Sequence, residues 1–322
     1  MPAGGGRLSG RAGTAPIARG PWADKPSPRG PSLPLVPPQG GLGHGRVLCG
    51  KLEGAATAGL RCPQMSDAQP ITGCKPGDIA PHVFLCGDPA RVGRIAASWQ
   101  GVREVCNVRE FHILTGEREG VPLSAASTGI GGPSTAILLE ELSKLGAHTY
   151  IRVGNSGGLS PALALGDLVV TTGAVRDDGT SRSYVHPEYP AVSDYRVVWA
   201  LVEAAQRLGT RVHAGVTWSL DAFYARNAIA APDGGIASMS FRGYWTPGHE
   251  TRIREMQAAG VLNCEMESGV LLTLAGLFGL RAGCICVVSD RTPWPGPAAI
   301  DLDRSMTSCI EVAQSAMLAL AR

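Results

Sequence analysis

No Cys-x-x-Cys pair occurs in this chain, and none of its nine cysteines has a histidine partner at zinc-ligand spacing, which excludes the common structural zinc sites and a paired-thiol redox motif. The odd count, with most cysteines inside apolar segments, also argues against a disulfide framework. They read as reduced core residues of a cytoplasmic protein, with Cys284 and Cys286 pointing to one face of a strand. Charge is scarce at 17% and aromatics at 5%, against 44% hydrophobic residues, so a chain of 322 residues has ample means to bury a large core. Neither sign of charge dominates. The formal net charge is +2, but residues 1–64 hold eight Lys or Arg against only Asp24 and Glu53, so the remainder is slightly acidic and gives no case for nucleic acid. The longest apolar stretch, Gly269 to Val288, is broken by Arg281 and several glycines and reads as helix, turn and strand, with no membrane span expected. No repeat of fixed period appears.

What is present divides at about residue 65. Residues 1–64 are dense in Gly, Pro, Ala and Arg without apolar periodicity, a composition that does not repay its ordering entropy. They read as a disordered low-complexity leader with no continuous apolar region of a secretory signal. Met65 is a candidate start, the leader then being untranslated, and a disordered tail is the alternative. Residues 65–322 read as one ordered domain in which strands alternate with helices, an α/β pattern.

Three strand-to-turn units in that domain bear on chemistry. The strand His82–Cys86 runs into Gly87-Asp88-Pro89, where Asp88 is a helix N-cap and Pro89 the first helical residue. Arg91 then falls in the first turn, where the helix dipole disfavours a cation unless an anion joins it. A second strand leads into Ser127-Thr128-Gly129-Ile130-Gly131-Gly132-Pro133-Ser134, small residues that let backbone N–H groups approach a ligand. Its spacing is not Gly-x-Gly-x-x-Gly and no acidic ribose reader follows, so a dinucleotide site is excluded. In the third, Arg152 interrupts the apolar strand before Gly154-Asn155-Ser156-Gly157-Gly158; a guanidinium there needs an anion or a carboxylate. Later, Asn263-Cys264-Glu265-Met266-Glu267-Ser268 opens an apolar helix and puts at least one carboxylate beside free helix N–H groups. Val105–Thr115 and Val121–Ala126 read as two strands joined by a polar turn, and residues 228–246 as a mobile flap. The strand Gly283–Val288 ends in Ser289-Asp290-Arg291-Thr292, and a helix over Asp303–Ala321 closes the chain.

In this order, Gly-Asp-Pro-x-Arg, Ser-Thr-Gly-Ile-Gly-Gly-Pro-Ser, Ile-Arg-Val-Gly and Glu-Met-Glu-Ser resemble the nucleoside phosphorylase family that includes uridine phosphorylase and the hexameric purine nucleoside phosphorylases. The resemblance covers roughly residues 75–320. It implies a three-layer α/β/α fold around a mixed, partly barrelled sheet, and dimers or hexamers with active sites shared between subunits. It also implies phosphate-dependent cleavage of an N-glycosidic bond with inorganic phosphate as co-substrate and no metal or organic cofactor. Gly87, Arg91, Arg152, Thr128 and Asn155 match the phosphate site, and Arg109 the arginine contributed by the adjacent subunit. Glu265, Met266 and Glu267 match the ribose site; Phe223, Asn227 and Asp290 match the base site. Arg91, Arg152, Glu267 and Asp290 are the expected catalytic residues.

Four positions depart from the pattern. The neighbour-subunit histidine falls at Ile71, and the usual threonine or serine after Arg-Val-Gly is Asn155. The Gln and Arg that read uracil fall at Asn227 and Ile229. Val-Ser-Asp290 resembles the purine branch, whose aspartate protonates the purine ring. The framework thus points to a uridine-type phosphorylase and the base site to a purine nucleoside phosphorylase, with a water-using nucleosidase or a non-catalytic nucleoside-binding homologue as further alternatives.

Overall fold

The computed structural model describes residues 67–322 apart from 232, 247 and 294–300; the proposed leader and Met65 lie outside the described residues. Strand β1 (His82–Cys86) ends at Gly87, and the Asp88 carboxylate accepts from the Ala90 N–H at 2.9 Å to cap α1 (Pro89–Ala96). The next segment differs from the sequence reading. The chain turns at Arg109, which takes a left-handed φ of 57°, so three strands form: β2 (Gln100–Val108), β3 (Phe111–Arg118) and β4 (Val121–Ser127). A non-glycine residue in that region carries no mark in apolar alternation.

The order continues with α2 (Gly132–Lys144), β5 (Thr149–Gly158), β6 (Leu168–Asp177), α3 (Gly179–Tyr184), β7 (Ala191–Val192), α4 (Tyr195–Arg207) and β8 (Val212–Leu220). Residues 228–246, read as a mobile flap, hold the hairpin of β9 (Ala228–Ala230) and β10 (Ile236–Ser238) and a 3-10 turn at Phe241–Gly243, after the short α5 (Phe223–Arg226). The chain closes with α6 (His249–Ala258), β11 (Asn263–Glu265), α7 (Ser268–Phe278), β12 (Arg281–Arg291) and α8 (Met306–Ala321). β12 therefore runs through Asp290, past the expected end at Val288, by way of a bulge between Val288 and Asp290.

The main sheet runs β11-β8-β6-β12-β5-β1-β4-β3-β2, and β11 also pairs with β5. β11, β8, β6, β12 and β5 thereby close into a mixed barrel, from which β1, β4, β3 and β2 extend. β5 belongs to both parts. It lies parallel to β1 from Thr149 to Arg152, then antiparallel to β11 at Gly157 and Gly158. A strand that changes neighbours leaves a crevice at the carboxyl end of the strand it abandons. Alternation along β1 makes the layers: Phe84 and Cys86 pack with α1, α4 and α8, whereas Val83 and Leu85 pack with α2 and α7. The result is a three-layer α/β/α arrangement around a partly barrelled sheet. Among the described residues no helix is long and apolar enough to cross a membrane.

Candidate active site

The carboxyl ends of β1, β5, β8, β11 and β12 surround a cavity of about 570 Å³. Gly87 and Arg91 reach it from β1 and α1, Arg152 and Asn155 from β5, and Glu265, Met266 and Glu267 from β11 and the turn after it. Arg91 is buried. Its Nη1 donates to the Val153 carbonyl at 3.2 Å and its Nη2 to Asn155 Oδ1 at 3.3 Å, while its Nε has no partner among the described residues. Asn155 in turn donates from Nδ2 to the Leu302 carbonyl at 3.2 Å, tying the segment before α8 to this wall. Two glycines set the approach of the loops. A Cβ on Gly87 would lie 3.2 Å from the Gly129 carbonyl oxygen, and Gly129 itself adopts a φ of +66° against the side chain of Glu110.

Opposite stands a buried ionic cluster. Arg152 Nε donates to Glu265 Oε2 at 3.0 Å and its Nη2 makes a very short bond to Glu267 Oε2, while Nη1 has no partner among the described residues. Glu265 also accepts from the backbone N–H groups of Glu267 and Ser268, each at 2.9 Å, and from the Ser268 hydroxyl, so it holds the N-terminus of α7 as the sequence anticipates. Glu267 uses its other oxygen to accept from the Gly131 N–H at 2.5 Å, joining the Gly-rich loop to the cluster. Burial disfavours the Arg152 charge, yet Glu267 and Glu265 together hold its pKa well above the ordinary value. One cation faces two carboxylates: at Glu267 burial pushes the pKa up, Arg152 opposes, and the Glu265 charge adds to the rise.

The third wall is formed by Phe223, 36% exposed, the buried Asn227, Cys264 and Asp290, to which the Ser289 hydroxyl donates at 2.9 Å. Arg291, the next residue, directs its Nη1 to the Leu163 carbonyl at 2.8 Å.

Ten of the twelve sequence-predicted site residues line this one cavity: Gly87, Arg91, Arg152, Asn155, Phe223, Asn227, Glu265, Met266, Glu267 and Asp290. Two do not. Thr128 is fully buried, with its hydroxyl donating to the Gly129 carbonyl at 2.8 Å, so the Gly-rich loop meets the cavity through Gly129 and Ile130 instead. Arg109 is exposed at the β2–β3 turn, outside the lining of its own chain's cavity. The sequence reading missed Leu302 and Gly157 as lining residues. Leu302 has no local signal, because its place is set by a contact with Asn155, 147 residues earlier. Gly157 lay within the glycine pair that ends β5 and was open to discovery there.

A strand-crevice cavity lined by two buried arginines, one of them paired with a helix-anchored carboxylate pair, fits transfer of a group between an anion and a polyol. Residues 81–322 match the phosphorylase superfamily, and the chain belongs to it, among the nucleoside phosphorylases. The chain is 47% identical to a uridine phosphorylase of Thermococcus kodakarensis over 215 residues, 67% of this chain and 74% of that one. It is 40% identical to a uridine phosphorylase of Klebsiella aerogenes over 227 residues, 70% of this chain and 87% of that one. A guanosine phosphorylase of Halorubrum lacusprofundi is 37% identical over 223 residues, 69% of this chain and 83% of its own length.

Proposed function

We propose that this chain is a phosphate-dependent nucleoside phosphorylase with a uridine-type framework, a pentosyltransferase that yields free base and (deoxy)ribose 1-phosphate in nucleoside catabolism and salvage. The observation that carries the reading is the pair of buried guanidiniums, Arg91 and Arg152, each with an N–H that has no partner among the described residues, lining one cavity together with Glu267. A buried donor without a partner costs free energy, and a phosphate oxygen accepts from it. Water, the co-substrate of a nucleosidase, needs no such paired cations.

The geometry supports the following roles. Arg91, Arg152 and the backbone at Gly87 and Gly129 hold phosphate beside the sugar's anomeric carbon, with Asn155 orienting Arg91 through its 3.3 Å contact. Met266 packs on the ribose and Glu267 grips its hydroxyls. Glu265, already saturated by α7 and Arg152, keeps that helix end and Glu267 in place. As the glycosidic bond lengthens, positive charge on the sugar is met by Glu267 and the phosphate dianion, while Phe223, Asn227 and Asp290 receive the departing base. A carbon–nitrogen bond is exchanged for a carbon–oxygen bond and no electrons change hands, so the reaction calls for no redox cofactor. Exposed Arg109 serves the site of an adjacent copy in a homo-oligomer, a dimer or hexamer, and the buried free thiols suit a cytoplasmic protein.

A purine reading of the same site rests on Asp290 as the acid that protonates the purine ring. Base release from uridine, inosine, adenosine and methylthioadenosine, with and without phosphate, tests both readings in the full-length protein. The uridine-type reading predicts phosphate-dependent uracil release that Asp290→Asn leaves intact. Purine turnover that collapses in Asp290→Asn assigns the purine role, and no phosphate dependence with any nucleoside refutes both.

A further inference from the structure

At the base end of the cavity, three polar side chains converge on one α-carbon. A Cβ on Gly157 would lie 2.8 Å from Thr292 Oγ1, 3.0 Å from Asp290 Oδ2 and 3.2 Å from Cys264 Sγ. Strand pairing brings them there, because Gly157 lies opposite Cys264 on β11 and opposite Asp290 on β12. Only glycine leaves room for all three. Thr292 is buried and fixed, its N–H donating to the Gly158 carbonyl at 2.8 Å. Its hydroxyl lies 3.0 Å from Asn227 Oδ1 and 3.7 Å from Cys264 Sγ.

The direction of these bonds follows from counting protons. Burial pushes the Cys264 thiol up to about 12, so the sulfur keeps its hydrogen and offers it to the Thr292 oxygen. The single Thr292 proton is then directed to Asn227 Oδ1. With that oxygen engaged, the NH₂ group is what the amide has left to offer a base in the cavity that Asn227 lines.

We propose that Thr292 is a positioning residue whose hydroxyl locks the Asn227 amide, so that the site offers the nucleobase an N–H donor and selects a ring carbonyl over an exocyclic amine. This deepens the phosphorylase reading and rests on it. A base with an amine at that edge sets donor against donor, and both groups lose water without gaining a partner. The preferred substrates are the oxo bases, whether pyrimidine or purine, and the discrimination is separate from the size of the ring system.

Two isosteric pairs isolate the effect: uridine against cytidine, and inosine against adenosine. With wild-type protein and saturating phosphate, kcat/KM for the oxo member of any pair that turns over exceeds that for the amino member by roughly 10- to 100-fold. Thr292→Val frees the amide to rotate and brings the ratio down to a few-fold, chiefly through KM for the amino member. Thr292→Ser keeps the hydroxyl and restores the wild-type ratio, which a role in packing alone does not predict. Asn227→Asp supplies only acceptors and inverts the preference, a readout that stands even if Thr292→Val does not fold. A wild-type preference for the amino member, a ratio unchanged in Thr292→Val, or no inversion in Asn227→Asp overturns the inference while leaving the phosphorylase reading intact. No release from any of the four nucleosides removes that reading and the inference with it.

Discussion

Arg152 shows how one side chain ties the proposed subsites together. Its guanidinium serves Glu265 and Glu267 at once and has a third nitrogen without a partner among the described residues, so on the proposed assignment sugar and phosphate would share a single cation. Arg91 is the simpler case, because its guanidinium donates to a carbonyl and an amide oxygen and forms no ion pair among the described residues. Arg91→Ala is therefore expected to lower kcat/KM for phosphate by about 10²- to 10³-fold, the usual cost of one preorganised donor to transition-state charge. A phosphate titration at saturating nucleoside measures it, and a change under threefold contradicts the assignment. Both arginines were legible in the sequence for physical reasons: one cation sits at a helix N-terminus and the other interrupts an apolar strand. Their partners were not, since Glu265 follows Arg152 by 113 residues and only folding brings them to 3.0 Å.

Among the elements, α7 depends most on its first residues. Glu265 accepts from two of its N-terminal N–H groups and from Arg152, so Glu265→Ala leaves a buried cation and free helix donors without their acceptor. The expected loss is about 3–5 kcal/mol, read as a lower denaturant midpoint, whereas Glu267→Gln keeps the fold and loses turnover. A wild-type midpoint in Glu265→Ala contradicts this anchoring role. The start of α6 makes a second case. His249 is buried against the rings of Trp218 and Trp245, at 6.5 and 4.9 Å, and burial followed by the Arg226 charge lowers its pKa. The unfolded chain thus binds a proton near the ordinary imidazole value of about 6.5 that the native state refuses. Stability should fall as pH drops below that value, and His249→Phe should flatten the slope in denaturant titrations between about pH 5 and 7; part of the slope remains, because burial also lowers His82. Local signals in the sequence located the cap at Asp88 and the helix after Glu267. The break at Arg109 and the bulge in β12 escaped it, because both are backbone choices imposed by neighbouring strands.

For the molecule as a whole, the barrel closure at β5 and β11 creates the crevice, and nothing in either strand's sequence announces that pairing. The alternation of strands and helices made the fold class legible; which strands meet was carried by the family resemblance. In the proposed homo-oligomer, Arg109 of an adjacent copy would supply the remaining part of the site. Mixing Arg109→Ala with Arg91→Ala protein should restore a fraction of activity that neither shows alone, as some sites then draw an intact residue from each copy; strict additivity of the two residual activities argues that each chain works by itself. The central claim is that the two-arginine cavity passes a pentose to phosphate. Phosphorus NMR during turnover of uridine is the direct measurement. The account predicts a pentose 1-phosphate resonance growing in step with released uracil and a rate that saturates with phosphate. Uracil release with free ribose as the product, at a rate indifferent to phosphate, contradicts it.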